Sequence, residues 1–157
     1  MSGLEVLVGT HVVATPSDME SLGRQMGRLV RRGDLVVLTG PLGAGKTTLT
    51  RGIGEGLGIR GPVQSPTFVL ARTHPSLVGG APLVHIDAYR LGSGAELDDL
   101  DIDFARSVVV AEWAAEHAAL VADHWWEVEI DREIAEPAGD EDLDADVPRA
   151  VTITRRP

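Results

Sequence analysis

The chain has 157 residues, of which 43% are hydrophobic and none is cysteine, so one globular domain with a substantial core is expected, and disulfides and thiolate metal sites are excluded. Its formal net charge is −10, which disfavours tight binding of nucleic acid through phosphate contacts alone, so any RNA is expected to be held by a partner. The first residues lack a basic region, and no apolar run approaches the roughly 18 residues of a membrane span, so a soluble, cytoplasmic protein without membrane contact is expected.

The N-terminal part of the chain predicts a strand followed by a helix. Residues 5–14 are rich in Val and alternate loosely between apolar and polar, which indicates a strand. A capping box follows, with Ser17 as N-cap and Glu20 at the third helical position. Apolar residues then recur at helical spacing, and the helix is predicted to end near Gly33.

A second strand and helix follow directly. Residues 34–39 form an apolar run of strand length. The apolar stripe of the helix after it consists of Leu49, Ile53 and Leu57. Three glycines lie inside this helix: Gly52, Gly54 and Gly56. Each costs about 1 kcal/mol relative to alanine, so close packing is expected to compensate.

The rest of the chain predicts further alternation of strands and helices. Strands are predicted at 68–73, 83–87, 107–112, 125–130 and 150–154, and helices at 94–106 and 114–122. The segment 131–148 is predicted to be an acidic, solvated loop. This order predicts an α/β fold: a P-loop NTPase-like sandwich with a mainly parallel sheet, helices on both faces and added antiparallel strands, in a single domain over 1–157.

Residues 40–48 match the pattern of a phosphate-binding loop, with Gly40, Gly45, Lys46 and Thr47 at the fixed positions. Glycines let the backbone N–H groups approach a polyphosphate, and the start of the helix adds its dipole and unpaired amides. Lys46 would supply a charge near the β- and γ-phosphates, and the Thr47 hydroxyl would bind Mg²⁺. The loop residues expected to contact the nucleotide are Leu42, Gly43, Ala44, Gly45, Lys46, Thr47 and Thr48.

A magnesium–nucleotide site also needs a carboxylate on a neighbouring strand. Two predicted strands end in one, Asp87 and Glu112, and spacing alone does not say which serves the metal. Thr67 follows Pro66 in a restricted loop, where its hydroxyl would hydrogen-bond the γ-phosphate or an attacking water. A simple loop-to-strand turn is the alternative interpretation of this segment.

Four motifs, at 40–48, 65–68, 85–91 and 112–114, occur in an order that closely resembles the bacterial TsaE (YjeE) family, the ATPase of tRNA threonylcarbamoyladenosine (t6A) biosynthesis. The resemblance implies that Lys46 binds the β- and γ-phosphates and that Thr47 and Glu112 hold Mg²⁺. It further implies an essential acidic role for Asp87 in orienting or deprotonating water. The remaining implied contacts are a switch-like loop with Thr67, Trp113 beside the nucleotide and Thr15 near the adenine.

The resemblance also implies partners of the TsaB and TsaD type, with tRNA reached only through them and ATP as substrate. The chain departs from the family at Pro41, where Asp is usual; proline removes a backbone N–H and presets φ. A small-molecule P-loop kinase is one alternative, but residues 92–106 hold one arginine against five carboxylates, which argues against a phosphate-binding lid. A nucleotide-gated scaffold that does not need hydrolysis is the other alternative.

Overall fold

The computed structural model describes residues 3–41, 45–59, 61, 71–87, 102–112, 118–119, 122–132 and 148–156, without the side chains of Asp87 and Arg132. A short 3-10 helix over Leu4–Leu7 opens these ranges. The helices and strands that follow are β1 (Gly9–Val13), α1 (Pro16–Leu29), β2 (Leu35–Thr39), α2 (Lys46–Leu57), β3 (Ala71–His74), β4 (Leu83–Asp87), β5 (Val108–Glu112), β6 (Trp125–Arg132) and β7 (Arg149–Arg156). Within the described ranges, no helix has the length and apolarity needed to cross a bilayer.

The strands form one seven-stranded mixed sheet in the order β1-β7-β6-β2-β5-β4-β3. The four central strands, β6, β2, β5 and β4, are parallel to one another. Strand β3 extends one edge antiparallel to β4, and β7 and β1 extend the other edge in antiparallel register. The predicted α/β class is confirmed, and so is a sheet of parallel strands extended by antiparallel ones. The sheet was predicted to be mainly parallel, but parallel and antiparallel pairings occur equally often among the described strands.

Both faces of β2 and β5 are buried, which explains why these two strands read as continuous apolar runs. Side chains alternate between the faces, so that Val36 and Leu38 pack in the same cluster as residues of α1 and α2, such as Met26 and Ile53. The opposite face is covered by other residues: Ile102, Phe104, Ala118 and Ala122. The predicted helix at 114–122 lies almost entirely outside the described residues, and so does most of 94–106; residues 104–106 form a turn before β5.

Helices α1 and α2 cross at paired glycines. A Cβ added at Gly23 would lie 2.8 Å from the Cα of Gly52, and one added at Gly27 would lie 2.9 Å from the Cα of Gly56. Real Cβ atoms do not approach other atoms this closely, so the two backbones touch only because these positions lack side chains. The expected close packing around Gly52 and Gly56 is confirmed, and it fixes the distance between α1 and α2.

The start of α1 differs from the prediction. Thr15, and not Ser17, is the N-cap, with Thr15 Oγ1 accepting a hydrogen bond of 3.1 Å from the Asp18 N–H. Pro16 occupies the first helical position, where its missing N–H costs nothing and its fixed φ suits the helix. The early strand is also shorter than predicted, because residues 4–7 form the 3-10 helix.

Candidate functional site

The carboxyl ends of the parallel strands β2, β5 and β4 lie side by side along one end of the sheet, its carboxyl edge. Leu38, one residue before the end of β2, pairs with Glu112, the last residue of β5. Asp87, the last residue of β4, pairs with Glu112 from the other side. The glycine loop, residues 40–48, leaves β2 at this same level and enters α2 at Lys46. Ligands of open α/β sheets bind at such an edge, so the two acidic residues and the glycine loop lie where a nucleotide site is expected.

The entry into α2 leaves its first-turn amides without a side-chain cap. Gly45 is the N-cap, with φ of 111°, a left-handed conformation that favours glycine. The first helical hydrogen bond runs from the Leu49 N–H to the Gly45 carbonyl at 2.9 Å. The N–H groups ahead of Leu49 have no partner within the helix. These amides and the positive end of the helix dipole suit an anion, and the half-buried Thr47 and Thr48 lie in the same turn.

Lys46 links the two ends of the glycine loop. Its Nζ donates a hydrogen bond of 2.9 Å to the carbonyl of Gly40. The residue is also held from the helix side, because Thr50 Oγ1 donates to the Lys46 carbonyl at 2.7 Å. The ammonium group therefore lies beside the Gly40 carbonyl, between the end of β2 and the start of α2.

Glu112 lies next to a buried histidine. The Nε2 atom of His85 is 3.8 Å from Glu112 Oε2, and the two side chains are 1% and 15% exposed. His85 lies two residues before Asp87 on β4, and its Cα pairs with Val110 of β5. The carboxylate of Glu112 thus lies at the end of β5, largely shielded from solvent and close to the imidazole.

A buried arginine next to the loop was missed by the sequence reasoning. Arg149, at the start of β7, is 7% exposed. A Cβ added at Gly45 would lie 3.1 Å from Met19 Cε and 3.9 Å from Arg149 Cδ, so the stem of this arginine and Met19 close one side of the loop. The signal available in the sequence is strand alternation, since Arg149 shares its face of β7 with the buried Val151 and Ile153.

The predicted site residues fall partly inside and partly outside the described ranges. Leu42, Gly43, Ala44, Thr67 and Trp113 lie outside the described residues, and Asp87 is described only as the end of β4. Thr15, which the resemblance puts near the adenine, is placed at the start of α1, where its hydroxyl caps the helix. The described residues therefore bring Gly45, Lys46, Thr47, Thr48 and Glu112 to the same edge as the end of β4.

The chemistry of the available donors suits magnesium. Thr47 offers a hydroxyl oxygen and Glu112 a carboxylate at the same edge of the sheet, and oxygen donors are the ligands that Mg²⁺ prefers. No group of three or more His, Asp or Glu side chains that could hold a metal ion occurs within the described ranges. Magnesium in nucleotide enzymes usually takes one or two protein ligands together with phosphate and water oxygens. The residues present therefore fit a metal that arrives with a nucleotide.

Comparison with known proteins identifies the family. Residues 13–138 match the model described as "Threonylcarbamoyl adenosine biosynthesis protein TsaE". The "tRNA threonylcarbamoyladenosine biosynthesis protein TsaE" of Streptomyces coelicolor is 52% identical over 139 residues, which cover 87% of this chain and 89% of that protein. The protein of the same name from Mycobacterium tuberculosis is 42% identical over 133 residues, 79% of each chain. The crystal structure of YdiB from Bacillus subtilis superimposes with a TM-score of 0.65 at 28% identity, covering 94% of this chain and 84% of that one. The chain belongs to the TsaE family.

Proposed function

We propose that this chain is a magnesium-dependent ATPase of t6A biosynthesis, built on a P-loop NTPase fold and acting in the cytoplasm with TsaB-like and TsaD-like partners. Membership of the TsaE family supports the pathway. The observation that carries the ATPase proposal is the convergence of the glycine loop, Lys46 and Glu112 at the carboxyl edge of the parallel strands.

The first turn of α2 would bind the phosphates of the nucleotide. The uncapped first-turn amides would donate to phosphate oxygens, since Gly45 provides no side-chain oxygen to occupy them. Lys46 would exchange its bond to the Gly40 carbonyl for a β- or γ-phosphate oxygen. A charged acceptor makes the stronger hydrogen bond, so this exchange favours the bound state. The Gly40 carbonyl then loses its donor, which couples nucleotide binding to the conformation of the loop.

Glu112 and Thr47 would hold the metal, and Asp87 and Thr67 would act on the nucleophile. A bound Mg²⁺ would neutralise charge on the phosphates during transfer. Asp87, whose Cα pairs with Glu112, would orient or deprotonate the attacking water. Thr67 would hydrogen-bond the γ-phosphate, Trp113 would lie beside the nucleotide, and Thr15 would lie near the adenine.

Hydrolysis is expected to be slow without partners. Phosphoryl transfer depends on positioning and on neutralising charge, and the proposed site supplies one lysine, one metal and backbone amides. The TsaD-like partner would transfer the threonylcarbamoyl group to tRNA, and hydrolysis by this chain would reset or release the complex. The net charge of −10 fits a component that does not itself bind the RNA backbone.

Steady-state ATP turnover with and without a TsaB–TsaD pair tests the proposal. We expect magnesium-dependent turnover that rises when the pair is added, and we expect Lys46→Ala to abolish it. Unchanged turnover on adding the pair would contradict the coupling. A Glu112→Ala variant should lose both ATP hydrolysis and sustained tRNA modification. If it loses hydrolysis but still supports full modification, the chain acts as a nucleotide-gated scaffold and the ATPase proposal is wrong.

A further inference from the structure

His85 and Glu112 face each other across two neighbouring strands. His85 is 1% exposed and lies on β4, and Glu112 is 15% exposed and ends the neighbouring parallel strand β5. The His85 Nε2 atom lies 3.8 Å from Glu112 Oε2. The imidazole is thus the buried group and the carboxylate the more accessible one, at the level where the glycine loop begins.

Packing alone does not account for a histidine at this position. His85 shares a sheet face with Leu83, which is fully buried, and an apolar side chain could fill such a space without bringing in polar atoms. Burying imidazole nitrogens costs free energy unless polar groups face them. A polar group that faces Nε2 here is the Glu112 carboxylate, which is proposed to hold the metal.

The distance between His85 Nε2 and Glu112 Oε2 suits a hydrogen bond that forms when substrate binds. At 3.8 Å the two atoms are just beyond hydrogen-bond distance. Contacts of this kind are often long in the free protein and shorten when substrate binds. A small rotation of the Glu112 side chain would bring Oε2 within hydrogen-bond distance of Nε2 and would leave Oε1 directed away from the imidazole.

We infer that His85 is a positioning residue for Glu112: its Nε2 atom orients the carboxylate so that one oxygen is presented to the metal of the nucleotide complex. This inference rests on the proposed magnesium–ATP function. Groups that orient a metal ligand typically contribute 10–100-fold to metal affinity. Metal affinity should therefore depend on position 85, while binding of metal-free nucleotide, which depends on the loop and Lys46, should not.

Binding of Mn²⁺ in the presence of a non-hydrolysable ATP analogue, followed by electron paramagnetic resonance, provides the test. His85→Leu should weaken Mn²⁺ binding about 10–100-fold. His85→Gln, whose side-chain nitrogen reaches the place of Nε2, should retain affinity within about threefold, and His85→Asn, which reaches only the place of Nδ1, should not. His74→Leu is the matched control, because it replaces a buried histidine on the neighbouring strand β3. It should leave Mn²⁺ affinity unchanged.

The outcomes separate this inference from the proposed function. If the His85→Leu variant binds Mn²⁺ as tightly as the wild-type chain, the inference is wrong, but the ATPase proposal is unaffected. An equal loss in the His74→Leu control would also overturn it, since the effect would then come from packing. If His85→Leu does not fold, the Gln and Asn variants decide, and equal affinities in the two would overturn the inference. A wild-type chain that binds no Mn²⁺–nucleotide complex would remove the proposed function itself.

Discussion

Replacing Gly52 by alanine tests the helix contact that positions α2. A Cβ at Gly52 would lie 2.9 Å from the Cα of Gly23 and 3.1 Å from the backbone nitrogen of Arg24, and it would also collide with the carbonyl of Glu20. All three partners are backbone atoms of α1, so no side chain can move aside. The two helices must separate, and α2 carries Lys46 at its start.

The expected change in the unfolding free energy of Gly52→Ala is the difference between two opposing effects of the added methyl group. Alanine stabilises a helix interior by about 1 kcal/mol relative to glycine. Overpacking a tight contact costs about 1–3 kcal/mol, and a contact with backbone belongs at the upper end. The net loss of unfolding free energy should therefore be about 1–2 kcal/mol. For a chain of this size, that corresponds to a fall of about 2–8 °C in melting temperature.

Thermal and urea unfolding of Gly52→Ala measure this effect. Arg51→Ala, an exposed change in the same helix, is the control and should stay within about 0.5 kcal/mol of wild type. ATP affinity of Gly52→Ala should fall with stability, because displacement of α2 moves Lys46. A Gly52→Ala variant more stable than wild type by about 1 kcal/mol would show that helix propensity alone acts there, and the close-contact argument would be refuted.

Three further predictions concern single residues. Lys46→Ala should weaken ATP binding about 10–100-fold in calorimetry, as expected for the loss of a hydrogen bond to a charged group, with little change in folding; unaltered affinity would contradict its phosphate role. Thr15→Ala should cost about 1 kcal/mol of unfolding free energy by removing the N-cap, whereas Ser17→Ala should cost less than about 0.5 kcal/mol, and the reverse order would favour the capping box predicted from sequence. Burial, together with the nearby Arg72, lowers the pKa of His74, so the folded state disfavours its protonated form. Wild type should therefore lose stability relative to His74→Gln as pH falls below about 6.5, and parallel pH profiles of the two proteins would contradict this.

Strands and the loop position were predictable from local patterns. The runs that became β2 and β5 are almost entirely apolar on both faces, which is the signature of a strand covered on both sides. The strand before the loop motif and the helix that begins at Lys46 were predictable, because these signals are encoded within a few residues.

Features that depend on register or on competing local signals were not predictable. Thr15-Pro16 and Ser17 both precede the helix, and the tertiary structure, with proline at the first helical position, selected the earlier cap. The contact of His85 with Glu112 requires the parallel register of β4 and β5, which no local pattern specifies. The approach of Arg149 to Gly45 joins residues that are far apart in the sequence, so it became visible only in the folded structure.

Reconstituted tRNA modification under multiple-turnover conditions tests the central claim most directly. The chain would be combined with TsaB-like and TsaD-like partners, tRNA, the threonylcarbamoyl donor and Mg²⁺–ATP, and t6A would be counted per molecule of this chain. We expect wild type to sustain many cycles, each with ATP hydrolysis, and Glu112→Ala to stop after about one. Equal multiple-turnover yields from the two proteins, with ATP left intact by the variant, would contradict a role for hydrolysis at this site.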